Sequence, residues 1–93
     1  MRRALQRSSA FVRAAKRLLK KQPHAAEALR LALERLAEDA FDPRLETHKL
    51  KGELAGSWAC SVDYDLRIVF EFVKHKDAEA VLLQTLGTHD EVY

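Results

Sequence analysis

The sequence predicts an α+β fold: two N-terminal antiparallel helices packed on a mainly antiparallel, twisted sheet of three to five strands. Three observations carry this expectation. Apolar residues before Ala40 recur at helical spacing. From Trp58 onward they alternate with polar ones at strand spacing. Turn-forming residues, with Pro23 and Pro43 among them, fall between the periodic stretches.

Ser8 or Ser9 can cap a first helix that runs to about Lys21. Phe11, Ala15 and Leu18 form its apolar stripe, with Val12 and Leu19 beside it. Arg13, Lys16, Arg17 and Lys20 share another face at i, i+3, i+4, i+7. Pro23 interrupts this helix and suits the first turn of the next. The second helix carries Ala25, Leu29, Ala32, Leu33 and Leu36 and runs to about Asp39. Ala40-Phe41-Asp42-Pro43 ends it, because a residue before proline avoids the helical region.

Trp58, Cys60, Val62 and Tyr64 then alternate with Ser57, Ala59, Ser61 and Asp63, the pattern of a strand. Ile68, Phe70 and Phe72 alternate with Arg67, Val69, Glu71 and Val73 in a second strand, with only Asp65 and Leu66 between the two. A tight hairpin is expected there. Lys74-His75-Lys76-Asp77 reads as a polar turn, and Ala80 through Leu86 as a central strand buried on both faces. Residues 3–7 suit an edge strand.

A chain of 93 residues supports one core, so a single domain over 1–93 is expected. No apolar run approaches the ~18 residues of a membrane span, and no signal-type hydrophobic stretch follows the basic start. The one cysteine, Cys60, has no partner for an internal disulfide, so a reducing cytoplasm is the expected compartment. No metal or cofactor is expected: paired cysteines are absent, and His24, His48, His75 and His89 include no i, i+4 pair. The net charge of +2 conceals an asymmetry. Residues 1–26 hold eight basic residues and no acid, whereas the remainder holds eight basic and 14 acidic ones. A basic end of this kind fits a polyanionic or acidic partner, or simply a solvated helix face.

His24 begins a helix and His75 lies in a charged turn, so both read as surface residues. His48 and His89 lie just before and just after the sheet, in loops of the kind that carry reactive side chains. From the residues alone, the ordinary loop histidine is the favoured reading for each. Asp63 and Asp65 flank the hairpin, where aspartate favours turn geometry. Arg67, among apolar strand neighbours, offers a planar phosphate donor if it faces a cleft, and otherwise a solvated strand position.

The segments His48-Lys49-Leu50-Lys51-Gly52, Trp58 through Asp65, Arg67-Ile68-Val69-Phe70 and Gly87-Thr88-His89-Asp90-Glu91-Val92-Tyr93 resemble the RelE superfamily of bacterial toxin–antitoxin toxins. The likeness is to its YafQ-like branch. The N-terminal half matches more in pattern than in identity. The resemblance implies a RelE-like fold and a ribosome-dependent, metal-independent endoribonuclease that cuts translated mRNA. His48 matches a histidine with acid–base duty, Asp65 a hairpin aspartate and His89 the histidine of Gly-Thr-His. Arg67 matches a phosphate-stabilising arginine found in RelE itself, and Tyr93 a C-terminal aromatic. One departure stands out: the YafQ-like branch has a further histidine where this chain has Ser61.

The implied partners are a cognate acidic antitoxin, the ribosome with its RNA, and mRNA. Neither a membrane nor DNA is implied, except DNA through an antitoxin complex. Arg13, Lys16, Arg17, Lys20, Lys49 and Lys51 are the expected RNA contacts. Two alternatives stay open: a gyrase-inhibiting toxin of the ParE type, and a non-catalytic homologue that only binds antitoxin. His48, Arg67 and His89 together weigh against the ParE type.

Overall fold

Ser8 starts the first helix because its side chain accepts the Phe11 N–H at 3.1 Å. In the computed structural model, which describes residues 2–93, this helix is α1 (Ser9–Lys21). It is preceded by strand β1 (Ala4–Arg7) and followed by α2 (Ala25–Glu38). Gln22, Pro23 and His24 alone join the helices, and Pro23 stands just before α2 rather than within its first turn. Phe11 and Ala14 are the buried residues of α1, while Ala15, Leu18 and Leu19 pack at the margin. Leu29, Ala32 and Leu36 bury the facing side of α2.

After α2 a short 3₁₀ turn over Pro43–Leu45 seats Leu45 in the interior, 1% exposed. Strands β2 (His48–Lys49), β3 (Trp58–Ser61), β4 (Leu66–His75) and β5 (Ala78–Thr88) follow, and helix α3 (His89–Val92) ends the chain. The five strands lie in the order β1-β5-β4-β3-β2. β1 runs parallel to β5, and all other pairs are antiparallel. The sheet is therefore mixed, with the predicted edge strand present and β5 near its centre. Ile68 and Phe70 from β4, and Val81, Leu83 and Leu86 from β5, meet Phe11, Leu29 and Leu36 in one core. No helix among the described residues is long and apolar enough to cross a membrane.

Besides the place of Pro23, four details differ from the sequence reading. β3 ends at Ser61, not at Tyr64. Val62 donates to the Leu66 carbonyl across the turn, and Asp63 Oδ1 accepts the N–H groups of both Asp65 and Leu66. The local side-chain bonds win over strand alternation here, and Tyr64 is left 98% exposed. The β4–β5 turn is only Lys76 and Asp77, both at positive φ (52° and 65°), so His75 belongs to the strand. His48 sits in β2 rather than in a loop. Finally, His89 opens a third helix where a strand-end loop was expected.

Candidate functional site

The pleat decides which residues of the sheet face away from the helices. Cys60 pairs with Ile68, and both are buried in the core. Their neighbours Ser61 and Arg67, also paired, therefore point to the opposite face. His48 pairs with Ala59, two residues from Ser61, and shares that face.

The terminal Gly-Thr-His segment brings the remaining groups. Thr88 caps α3 through a reciprocal capping box: its Oγ1 accepts the Glu91 N–H at 3.3 Å, and Glu91 Oε1 accepts the Thr88 N–H at 2.8 Å. These bonds hold the Glu91 carboxyl below its usual range, aided by the charges of Lys21 and Arg17. Gly87 is favoured by close contact rather than by φ. A Cβ there would lie 3.0 Å from Glu91 Oε1 and 3.1 Å from Glu91 Cβ. The His89 N–H donates to the Asp65 carbonyl at 3.0 Å, which ties α3 to the hairpin turn. One helical turn later Tyr93 returns to the sheet.

His48, His89 and Tyr93 form one contiguous group. The Tyr93 hydroxyl lies 3.0 Å from His48 Nε2. The Tyr93 ring packs edge-on against His89, with centroids 4.5 Å apart. His48 Nδ1 lies 3.0 Å from the Glu46 carbonyl oxygen. Partial burial raises the Tyr93 phenol above its usual range, and the positive charge of nearby Arg67 offsets part of that rise. Arg67 Nη1 donates to the carbonyls of Asp63 (3.1 Å), Tyr64 (3.3 Å) and Leu66 (3.1 Å), so the hairpin turn fixes the guanidinium. Behind this group Cys60 is fully buried, and desolvation pushes its thiol up to about 12.

The structure thus brings together His48, Arg67, His89 and Tyr93, with Asp65 joined to His89 through its backbone. Asp65 positions the start of α3 and makes no contact with an imidazole ring. Ser61 donates to Glu46 Oε1 at 3.1 Å. Glu46 escaped the sequence reading: it adopts a left-handed conformation (φ 52°) that glutamate gives no reason to expect. Thr88 and Glu91 did carry a signal, since Thr-x-x-Glu is a capping-box pattern. Arg13, Lys16, Arg17 and Lys20 are exposed on α1, and Arg17 lines a cleft between α1 and α3 together with Lys21. Lys51 is exposed before a 3₁₀ turn. Lys49 lies with its Nζ 5.4 Å from the Trp58 ring centroid, on the face of β2 opposite His48. Alternation along β2 separates these neighbours, so Lys49 does not stand beside His48.

Helices packed on a five-stranded mixed sheet give this short α+β protein the fold of small RelE-like toxins. The family model described as "Bacterial toxin of type II toxin-antitoxin system, YafQ" matches residues 3–93. The chain belongs to this family of toxins. Solved structures agree on the fold. YafQ from E. coli strain BL21(DE3) superposes with a TM-score of 0.79 at 16% identity, covering 98% of each chain. A metal-bound toxin from Helicobacter pylori gives 0.77 at 26% identity, covering 100% of both. The E. coli DinJ–YafQ toxin–antitoxin complex gives 0.76 at 17% identity, covering 100% of this chain and 99% of the other. No curated protein sequence gives a significant match.

Proposed function

We propose that this toxin is a ribosome-dependent endoribonuclease that cleaves translated mRNA without a metal ion. The observation that carries the proposal is the convergence of His48, Tyr93 and His89 beside the immobilised Arg67. RNA supplies its own nucleophile, the 2′-OH next to the scissile phosphate. The protein must take that proton, stabilise the added charge on phosphorus, and protonate the departing 5′-oxygen. Imidazoles and a phenol can carry protons, and a guanidinium can hold two phosphate oxygens at once. His48 and His89 serve the two proton transfers, Arg67 clamps the phosphate, and Tyr93 touches the reacting nucleotide. The product is a 2′,3′-cyclic phosphate or its hydrolysed form.

The openness of the site supports a ribosomal setting. His48 and His89 are exposed, and Tyr93 is 45% exposed. A surface this shallow needs a second wall to hold single-stranded RNA, and the ribosome supplies one. The basic face of α1 would dock on ribosomal RNA phosphates. A cognate antitoxin with an acidic segment would silence the toxin by covering this basic face.

The test is purified protein added to programmed ribosomes, with primer extension to map cuts in the bound mRNA. Cuts in the ribosomal A site are expected, and His89→Ala should abolish them while leaving the fold intact. An unimpaired His89→Ala protein would reject the assignment. Inhibition of gyrase supercoiling without mRNA cleavage would replace it with the ParE-type activity.

A further inference from the structure

Ser61, Glu46, His48 and Tyr93 form one continuous chain of hydrogen bonds across the site. A carbonyl oxygen only accepts hydrogen bonds, so the 3.0 Å contact with Glu46 O requires the proton of neutral His48 to sit on Nδ1. The His48 Nε2 lone pair then faces the Tyr93 hydroxyl, which donates to it across 3.0 Å. Tyr93 therefore blocks the basic nitrogen of His48 from direct contact with substrate. The phenol oxygen keeps its own lone pairs for an incoming hydroxyl.

Glu46 holds this arrangement at two points. Its backbone carbonyl fixes the imidazole, and its carboxylate accepts the Ser61 hydroxyl at 3.1 Å, which pins the residue to β3. The left-handed φ of 52° at Glu46 is what turns the carbonyl toward His48 two residues on. Leu45, buried just before it, and the Thr47 hydroxyl, which donates to the Ala40 carbonyl at 2.6 Å, anchor both neighbours. A non-glycine residue held in that region by its surroundings marks a constrained position.

We propose that Tyr93 and His48 form a proton relay held in place by Glu46: Tyr93 meets the substrate hydroxyl, His48 takes the Tyr93 proton, and the Glu46 carbonyl positions His48. This rests on the nuclease reading above and goes beyond it by dividing the labour. The RNA 2′-OH passes its proton to the Tyr93 oxygen as the Tyr93 proton passes to His48 Nε2. The 2′-oxygen bonds to phosphorus, and the bond from phosphorus to the 5′-oxygen breaks, with His89 donating the proton to that leaving group. Tyr93 ends neutral, His48 ends as imidazolium with Nδ1–H still on the Glu46 carbonyl, and His89 ends deprotonated. Ser61 takes no part in proton transfer and serves only to secure Glu46. Partial burial, which disfavours free phenolate at Tyr93, agrees with a concerted exchange.

Two measurements test the relay. In the free protein, ¹⁵N shifts of the His48 ring report its tautomer without reference to activity. The Nδ1–H form is expected in the wild-type protein and in Glu46→Gly, since glycine tolerates positive φ. It should be lost in Glu46→Val, because a β-branched residue resists that φ, and amide spectra confirm that each variant is folded. On programmed ribosomes, Tyr93→Phe and His48→Ala should each slow cleavage by ~10²–10⁴-fold, the usual weight of one acid–base group. The double variant should be no slower than the worse single one, because members of a unit are not additive. Losses that multiply in the double variant overturn the relay. Cleavage by a protein whose His48 is Nε2–H overturns the relay alone. An intact Nδ1–H tautomer with no cleavage by the wild-type chain overturns the nuclease reading and the relay with it.

Discussion

Replacing Gly87 with alanine tests how the last strand aims the site. The backbone at Gly87 is ordinary extended strand, so alanine brings no φ strain. The added methyl would meet Glu91 Oε1 at 3.0 Å, Glu91 Cβ at 3.1 Å and Val92 Cγ1 at 3.3 Å. Comfortable separations between carbon atoms are about 3.5–4.0 Å, so all three neighbours must retreat by a few tenths of an ångström or more. Overpacking of this kind costs about 1–3 kcal/mol. All three belong to α3, a four-residue helix at the chain end held by its capping box and the His89 to Asp65 bond. Displacing α3 is easier than deforming β5, which at Gly87 is paired with Arg67 of the long strand β4. Were the full strain retained, Tm would fall by about 4–8 °C for each kcal/mol. Because α3 yields first, the expected Tm loss stays below about 4 °C while the Tyr93–His48 contact is lost. Calorimetry reads the first quantity, and cleavage of ribosome-bound mRNA reads the second, which should drop by at least ~10²-fold if the displaced groups include one acid–base residue. Full cleavage with unchanged α3 amide shifts would refute this reasoning. A Tm loss that accounts for the whole strain would also refute it, since α3 would then not be the part that moves.

Cys60 should resist alkylation in the native protein, because burial pushes its thiol up to about 12 and leaves little thiolate at neutral pH. Mass spectrometry after iodoacetamide treatment should show modification only once denaturant is added. The Glu91 carboxyl is lowered in the folded state, so its contribution to holding α3 is complete above the ordinary value of 4.5 and is lost as pH falls through the lower folded value. Amide shifts of residues 88–93 across an acid titration should report loosening of α3 in that window, and Glu91→Gln should remove the pH dependence. Charge reversal at Lys16 and Arg17 together should weaken ribosome association steeply at low salt and less at high salt, read by co-sedimentation. Unchanged association would separate the basic face from docking.

Much of the fold was legible because its signals are local. Ser8 caps its helix within three residues, Pro43 opens the 3₁₀ turn that follows the second helix, and Ile68, Phe70 and Leu86 carry strand periodicity toward a common core. The failures were also local in cause. Tyr64 kept the alternation of β3, but Asp63 captured two N–H groups and ended the strand. α3 is too short to show helical periodicity, and only the spacing of Thr88 and Glu91 announces it. The residues of the site were named from motifs, yet their partners were not. Nothing in the sequence around Glu46 indicates a left-handed residue, and nothing assigns Asp65 to the α3 backbone rather than to an imidazole.

The sequence by itself determined the two long helices and the main strands, the basic first helix, and the presence of two histidines, an arginine and a C-terminal tyrosine as candidate site residues. These depend on spacing along the chain, which is fixed before folding. Only the tertiary structure decided which of them meet. Strand pleat puts His48 on one face and Lys49 on the other, and the pairing of Ser61 with Arg67 selects the open face. The capped turn at Thr88 then carries Tyr93 across 45 positions of sequence to within 3.0 Å of His48. Such contacts arise from register and packing between distant segments, and no local pattern encodes them.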